Sequence, residues 1–338
     1  MIISTRDEQY FNKAAQKREK NAFFCNFMEK REVMPDKLKL TILGRGSAIP
    51  SKLANQSSQI LGIHSKYMLI DCGEGTQNVI RQLDLSLARL NHIFISHLHG
   101  DHILGLPGLL STLGMLGRKD TLNIYGHANL EKYIEQQISF FGEDFGFPIA
   151  FHAIDPFHPA VIYEDKAMKV TSFPLKHSIP SNGFIFEEKP KPLHLCKEKA
   201  DKYGVPISQY LNIKNGMDYV DEDGRVIPNA ELTLPADPSK KYVYCSDTAY
   251  NEKMIPLIEH ADCLFHEATF LSQQKLRAKE TQHSTAAQAA EIARKAKVKQ
   301  LIIGHISARY TDFEPLLEEA KAIFENTILA EEKKSYWF

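Results

Sequence analysis

The chain has 338 residues, of which 43% are hydrophobic and 25% charged, and its formal net charge at neutral pH is −1. This length allows one large α/β domain or two smaller ones, and the composition is that of an ordinary globular protein. The balanced charge excludes a uniformly basic nucleic-acid-binding surface, although not a local basic patch, and no apolar run is long enough to span a membrane.

Residues 1–36 are polar and charged, and we expect an N-terminal extension that forms a short amphipathic helix or stays disordered. From residue 37 onward, apolar strand patterns alternate with helical periodicity. Strands are predicted at 38–43, 59–63, 67–71 and 93–96, with helices at 75–83, 102–116 and 128–141. The second half repeats this order, with strands at 167–173, 183–186, 242–246, 263–265 and 300–303 and helices at 250–260, 285–297 and 313–325. Strands in both halves with helices outside them predict two packed sheets flanked by helices.

One segment departs from this alternation. Residues 187–235 are rich in Lys, Pro and Asn and show little periodicity. A long segment of this kind inside a compact domain is usually a functional protrusion or a disordered insert. We expect residues 328–338 to form a C-terminal tail.

The cysteines and the N-terminus bear on the compartment. The five cysteines are scattered and contain no CxxC pair, which predicts reduced thiols. The N-terminus lacks the apolar core of a signal peptide. We therefore expect a cytoplasmic protein.

Residues 97–102 (HLHGDH) place three histidines and an aspartate directly after a predicted strand. Imidazole nitrogen and carboxylate oxygen are ligand atoms that Zn²⁺ takes. Further candidate ligands follow other predicted strands: His177, Asp247, His266 and His305. Side chains at strand ends are rigidly held and can converge at one rim, so the pattern predicts a metal centre. A solvated loop, or a structural histidine at His177 or His305, explains each part alone but not their recurrence.

An HxHxDH run followed by a distant His, an Asp and a final His matches the metallo-β-lactamase superfamily. Within it the chain closely resembles the ribonuclease Z family, the tRNA 3′-processing endoribonucleases, from about residue 38 to about residue 327. The shared motifs are residues 43–50 (LGRGSAIP), 71–77 (DCGEGTQ), 105–108 (GLPG), 266–270 (HEATF), 283–285 (HST) and 305–310 (HISARY). The resemblance implies an α/β fold over 37–327, a four-layer αββα sandwich, with 187–235 as an inserted arm that grips tRNA.

The resemblance also implies a set of metal ligands. One Zn²⁺ would be held by His97, His99 and His177, and a second by Asp101, His102 and His305, with Asp247 bridging them. Mn²⁺ stays open as an alternative metal. Two such ions activate a shared hydroxide and polarise phosphoryl oxygens.

Other residues take catalytic and substrate-binding roles by the same resemblance. Asp101 would orient the attacking hydroxide, and His283, charged and oriented by Glu267, would protonate the departing 3′ oxygen. Arg309 is a candidate phosphate clamp, and the arm residues Lys202 and Lys214 are candidate contacts to tRNA phosphates. Simpler explanations remain for several of these: a residue at a helix start for His283, a surface ion pair for Arg309, and a solvated loop for the arm lysines. We expect His266 to be a buried residue that supports the ligands.

Two positions depart from the family pattern: Arg45 stands where Thr is usual, and Ile207-Ser208 replaces a Gly-Pro pair of the arm. The predicted function is removal of 3′ trailers from precursor tRNA, with a homodimer expected from the family. One alternative is a small-molecule phosphodiesterase or thioesterase of the same fold, which would have no use for the arm. The other is a metal-free scaffold or RNA-binding subunit, which would have lost ligands that this chain keeps.

Overall fold

The structure is a computed structural model that describes residues 38–63, 65–141 and 145–338. The predicted N-terminal extension, residues 1–36, lies outside the described residues. No helix in the described ranges is long and apolar enough to cross a membrane.

Two seven-stranded sheets form the centre of the fold. The first has the spatial order β18 (Ser335–Trp337), β1 (Lys39–Gly44), β2 (Ser58–Ile63), β3 (Lys66–Ile70), β4 (Leu90–Phe94), β5 (Leu122–Gly126) and β6 (Ile149–Ala153). The second has the order β17 (Thr327–Leu329), β16 (Leu301–Gly304), β15 (Cys263–Glu267), β14 (Lys241–Cys245), β9 (Asn182–Glu188), β8 (Met168–Pro174) and β7 (Ala160–Glu164). In each sheet one half is antiparallel and the other, β3–β6 or β14–β17, is parallel.

Helices cover the outer faces of both sheets. Those of the first half are α1 (Thr76–Gln82), α2 (Gly100–Ile103), α3 (Leu106–Met115) and α4 (Asn129–Phe141). Those of the second half, after the arm, are α8 (Ile255–Ile258), α9 (Lys275–Thr281), α10 (Ala286–Lys295) and α11 (Glu314–Lys321). Single 3₁₀ turns lie at Leu87–Arg89, Glu252–Met254 and Ser272–Gln274.

Three hydrophobic cores separate these layers. Side chains alternate along a strand, so Phe265 of β15 enters the core between the sheets, whereas its neighbour Leu264 packs outward with Ile292 of α10. The core between the sheets is aromatic, with Phe94 and Phe184 in contact across it. A third core joins the first sheet to its helices. This arrangement confirms the predicted four-layer αββα sandwich.

The predicted helix at 102–116 is two helices, α2 and α3, that meet at Gly105. The Gly105 amide donates to the carbonyl of Cys72 at 3.0 Å, and a Cβ at this position would lie 2.0 Å from the carbonyl oxygen of Gly73. Only glycine permits this contact between the start of α3 and the chain after β3. The GLPG and DCGEGTQ motifs therefore pack against each other.

The expectation of a C-terminal tail is corrected by the structure. Residues 327–329 form β17 at the edge of the second sheet, and residues 335–337 form β18, which pairs antiparallel with β1. The segment between them crosses from one sheet to the other. Its amide at Ala330 donates to the carbonyl of Ile303 at 2.9 Å, and that at Lys333 donates to the carbonyl of Ile42 at 2.8 Å.

The segment 187–235, which runs from the last residues of β9 towards β14, is a folded module. It contains α5 (Lys197–Lys202), a 3₁₀ turn (Ile207–Gln209), α6 (Tyr210–Lys214), α7 (Asn229–Leu232) and two small sheets, β10 (His194–Leu195) with β13 (Thr233–Leu234) and β11 (Tyr219–Val220) with β12 (Val226–Ile227). A core of its own includes Ile213, Tyr219 and Leu232. Of the two expectations for this segment, the disordered insert is wrong.

Candidate metal centre

Seven candidate ligands from both sheets meet at one rim of the sandwich. Those of the first sheet lie in the loop after β4 and in α2, while those of the second follow β8, β14 and β16. The strands are buried and fixed by pairing on both sides, so the residues that follow them have little freedom. The sequence prediction of convergence at strand ends matches the geometry.

The first group contains His97, His99, His177 and Asp247. Nδ1 of His99 lies 3.1 Å from Nε2 of His97 and 3.2 Å from Nε2 of His177. Oδ2 of Asp247 lies 3.4 Å from the same nitrogen of His97 and 3.8 Å from that of His177. Four ligand atoms thus surround one point.

The second group contains Asp101, His102 and His305. Oδ2 of Asp101 lies 3.4 Å from Nε2 of His102 and 3.3 Å from Nε2 of His305, and these two nitrogens are 3.3 Å apart. The other oxygen of Asp247, Oδ1, lies 3.5 Å from His102 and 3.1 Å from His305. One oxygen of Asp247 therefore faces each group, as a bridging carboxylate requires.

The charges of the site suit cations. Burial lowers the pKa of His97 to about 4 and also lowers those of His99 and His177, so these imidazoles are neutral and have free lone pairs. Burial alone would raise the pKa of Asp247, but His305, His102 and His97 hold it well below its usual value. Oδ1 of Asp247 is buried and makes no hydrogen bond to any described residue. A buried, ionised oxygen without a donor is costly unless a cation neutralises it.

Hydrogen bonds on the far side of the rings orient three of the histidines. Nδ1 of His97 is bonded to the hydroxyl of Ser96 at 3.0 Å, and Nδ1 of His305 to that of Thr269 at 3.1 Å. Nδ1 of His177 donates to the carbonyl of Gln282 at 3.0 Å. These bonds leave Nε2 of each ring facing the ligand cluster, the arrangement that holds metal-binding histidines in place.

Asp71 supports His102 in the same way, and the sequence analysis assigned it no role. It is fully buried just after β3 and accepts a 2.8 Å hydrogen bond from Nδ1 of His102. The hydroxyl of Tyr244 and both the amide and hydroxyl of Ser96 also donate to its carboxylate. The sequence signal that could have identified Asp71 is its position, as an acidic residue directly after an apolar strand.

His283 and Glu267 form a pair beside the ligands. Oε1 of Glu267 is 2.9 Å from Nδ1 of His283 and also accepts the amide of Ser284 at 2.9 Å. Burial alone would lower the pKa of His283, but the Glu267 charge and hydrogen bond outweigh it and raise the pKa to about 9. The His283 side chain is 16% exposed and lines the cleft, so it can deliver a proton there.

A cleft of about 680 Å³ opens over the centre. Its walls include Ala48, Gln56, Glu74, Leu104, Ser178 and Glu280 besides the ligand residues. Arg309, Lys202 and Lys214 do not line it. The guanidinium of Arg309 lies over the Phe270 ring at 4.9 Å and donates to the hydroxyl of Ser307, while Lys202 and Lys214 lie on arm helices.

His266 is fully buried but does not support the ligands by a hydrogen bond, in contrast to the expectation. Its Nδ1 donates to the carbonyl of Glu267 at 2.7 Å, and its Nε2 makes no hydrogen bond to a described residue. Burial lowers its pKa, so the ring is neutral. Its contact to the Glu267 backbone makes it a structural residue of β15.

An αββα sandwich with paired histidine and aspartate clusters at the rim of its sheets defines a metal-dependent hydrolase of the metallo-β-lactamase superfamily. Two family models match parts of the chain, and the second agrees with this class. Residues 38–189 match a family described as anti-Pycsar protein Apyc1, and residues 221–306 match a β-lactamase superfamily domain.

Curated relatives narrow the class. A ribonuclease Z of Parabacteroides distasonis is 52% identical over 293 residues, which cover 87% of this chain and 96% of the relative. A ribonuclease Z of Bacteroides thetaiotaomicron is 50% identical over 297 residues, or 88% of this chain and 94% of the relative. Among solved structures, the short form of human tRNase Z superposes with a TM-score of 0.64 at 26% identity, over 88% of this chain and 98% of that one. The chain belongs to the ribonuclease Z family.

Proposed function

We propose that this protein is a zinc-dependent endoribonuclease that removes 3′ trailers from precursor tRNA, leaving a 3′-hydroxyl on the tRNA and a 5′-phosphate on the trailer. The observation that carries the proposal is the 52% identity to a ribonuclease Z over 87% of this chain, together with the cluster of candidate metal ligands. The 3′-hydroxyl would lie on the discriminator nucleotide and be ready for CCA addition.

The donor set favours zinc. His97, His99 and His177 would hold one ion and Asp101, His102 and His305 a second, with Asp247 shared between them. Mixed imidazole and carboxylate donors suit Zn²⁺, and Mn²⁺ remains the alternative. When bound, such a pair of ions supplies a hydroxide nucleophile at neutral pH and polarises phosphoryl oxygens.

Asp101 would orient the nucleophile. Burial alone would raise its pKa, but His102 and His305 lower it, so the carboxylate stays ionised and can only accept hydrogen bonds. Its Oδ2 also accepts the Ala48 amide at 2.6 Å, which fixes its direction at the floor of the cleft. An acceptor held in this way selects one orientation of the attacking water.

His283 would act as the general acid. Glu267 occupies its Nδ1, so Nε2 is the nitrogen that can donate a proton into the cleft. A ribose alkoxide is a poor leaving group, and protonation as the P–O bond breaks removes this difficulty. Glu267 is fully buried and also accepts the Thr269 amide at 2.9 Å, so it is rigid enough to keep the imidazolium charged and oriented.

The arm would provide the contacts to tRNA. Lys202 and Lys214 lie on α5 and α6, which are held by a core of their own, so both lysines are carried by a folded support. Contacts of this kind to phosphates supply affinity that a body with a net charge of −1 lacks. Arg309, beside Phe270 and near His283, would bind a phosphate closer to the cut.

The assembly and the compartment are part of the same proposal. We expect a homodimer, as the family resemblance implies, and a cytoplasmic location. The cysteines that the structure describes, Cys72, Cys196, Cys245 and Cys263, are free thiols, in keeping with a reducing environment.

The test is cleavage of a precursor tRNA with a 3′ trailer by the protein before and after metal removal, with both new ends mapped. A single cut after the discriminator that yields 3′-hydroxyl and 5′-phosphate ends, is lost on chelation and returns with Zn²⁺ supports the proposal. Hydrolysis of bis(p-nitrophenyl) phosphate with no cut in the tRNA would favour a small-molecule phosphodiesterase instead.

A further inference from the structure

The loop between β1 and β2, residues 45–56, forms one wall of the cleft and contacts Asp101. The amide of Ala48 donates to Oδ2 of Asp101 at 2.6 Å, and Ala48 holds a left-handed φ of 42°, unusual for a residue with a side chain. The side-chain amide of Gln56 donates to the Ala48 carbonyl at 3.0 Å, and its oxygen accepts the amide of Glu74. The strained Ala48 conformation therefore needs support from the rest of the loop.

Glu332 provides support at both ends of this loop. Its Oε1 accepts the Asn55 amide at 2.6 Å and the Arg45 amide at 3.3 Å, and its Oε2 accepts the side-chain amide of Asn55 at 2.6 Å. A single carboxylate thus bridges the first residues of the loop and the last ones. Glu332 lies in the segment that crosses from β17 of the second sheet to β18 of the first.

Arg45 attaches the loop to the same crossing segment. Its Nη1 donates to the carbonyl of Ala330 at 2.8 Å, and its guanidinium lies over the Phe313 ring at 4.4 Å. Its own carbonyl accepts the amide of Ile306, the residue after the ligand His305. Loop 45–56, the crossing segment and a metal-ligand strand are therefore joined by hydrogen bonds around Arg45.

We propose that Glu332 is a positioning residue of the active site, which bridges Arg45 and Asn55 and through loop 45–56 keeps the Ala48 amide on Asp101. The reaction it serves rests on the proposed function, but the contacts do not. A half-buried carboxylate is costly unless donors satisfy it, and the donors to Glu332 among the described residues all come from this loop. Loss of Glu332 would free the loop and allow Asp101 to turn away from the attacking water.

The test compares Glu332→Ala with Glu331→Ala in the metal-loaded, full-length protein. Glu331 is the adjacent carboxylate, but its side chain is exposed and, among the described residues, forms an ion pair only with Lys334. Two quantities are measured: kcat and KM on precursor tRNA and on bis(p-nitrophenyl) phosphate, and deuterium uptake by the peptide that spans residues 45–56. Because the second quantity needs no turnover, failure of the proposed function and failure of this proposal are distinguishable.

We expect Glu332→Ala to lower kcat on both substrates roughly 10- to 100-fold with KM nearly unchanged, since a small misplacement of a catalytic group has this cost. Deuterium uptake in 45–56 should rise, whereas Glu331→Ala should leave both readouts at the wild-type level. An unchanged kcat in Glu332→Ala, or a deuterium uptake in this loop equal to that of the wild type, would overturn the proposal.

Glu332→Gln decides the question if the alanine variant does not fold. Its amide oxygen can still accept the two backbone amides, but its NH₂ group replaces the acceptor that faces the side chain of Asn55. We expect a kcat between those of the wild type and the alanine variant, with increased uptake in the same loop. Wild-type values in both readouts would contradict the proposal.

Discussion

The carboxylate of Asp71 accepts a 2.8 Å hydrogen bond from Nδ1 of His102, and neither side chain is exposed to solvent. Asp71 follows β3 with a left-handed φ of 55°, which turns its side chain under the ligand cluster. The bond fixes the tautomer of His102 so that Nε2 faces Asp101, Asp247 and His305. Asp71 therefore supports the second ligand group from outside it.

The first prediction concerns this support. Asp71→Asn should weaken metal binding about 10- to 100-fold, because loss of the outer partner of a ligating histidine has this effect. The measurement is Zn²⁺ affinity by competition with a chromogenic chelator. Asp120→Asn, at an exposed position whose side chain makes no hydrogen bond to a described residue, is the control and should bind like the wild type. Equal affinities in the two variants would show that Asp71 does not orient His102.

Metal removal should destabilise the protein. Asp101 and Asp247 are buried among the histidines of the candidate metal centre. Bound cations would compensate the charge of these carboxylates only in the folded state. Free metal at a thousand times its dissociation constant would contribute about 4 kcal/mol of unfolding free energy. Calorimetry should give a melting temperature that falls on chelation and returns with Zn²⁺. A melting temperature that stays the same after chelation and after addition of Zn²⁺ would contradict the ligand assignment.

The convergence of the candidate ligands was predictable because its signal in the sequence is local. His177 and His305 each follow an apolar strand, and strands of one sheet that end at one rim must bring such residues together. Asp247 was predicted in the same way, because it follows the predicted strand at 242–246. Asp71 also follows a strand, but its partner His102 is 31 positions further on, and the contact depends on how the end of β3 meets α2. Nothing in the spacing along the chain encodes that contact.

Elements without internal periodicity were missed. Strands β6 and β7 lie at sheet edges, and their partly exposed residues lack the buried runs of central strands. Strand β18 is three residues long and depends on pairing with β1 at the other end of the chain. The arm showed no periodic pattern because the residues of its core, such as Ala200, Tyr219 and Leu232, lie far apart in the sequence.

The pH dependence of cleavage should reflect the titration of His283, whose pKa depends on Glu267. The pKa of His283 is raised from its usual value to about 9 mainly because Glu267 outweighs burial, so the acid form predominates at neutral pH and is lost as pH rises through that value. Glu267→Gln removes the charge, and the alkaline limb of the single-turnover rate should move to lower pH. Glu318→Gln, at an exposed position on α11, is the control. An unmoved limb in Glu267→Gln would exclude this role.

The arm lysines should act on tRNA binding and not on chemistry. Lys202→Ala and Lys214→Ala should raise the dissociation constant for precursor tRNA. Each should also reduce the slope of the logarithm of the binding constant against the logarithm of the salt concentration by about one. Hydrolysis of bis(p-nitrophenyl) phosphate should stay at the wild-type rate, because neither lysine lines the cleft. Lys321→Ala, an exposed lysine of α11, is the control. Parallel loss of both activities would argue against a tRNA-binding arm.

The most direct test of the account replaces the departing 3′ oxygen of the scissile bond in a precursor tRNA with sulfur. Sulfur leaves without protonation, so the wild type and His283→Ala should cut this substrate after the discriminator at similar rates. On the natural oxygen linkage His283→Ala should be slower by about 10²- to 10⁴-fold. No cut by the metal-loaded wild type, or an equal loss on both linkages, would contradict tRNA 3′ cleavage with His283 as the acid.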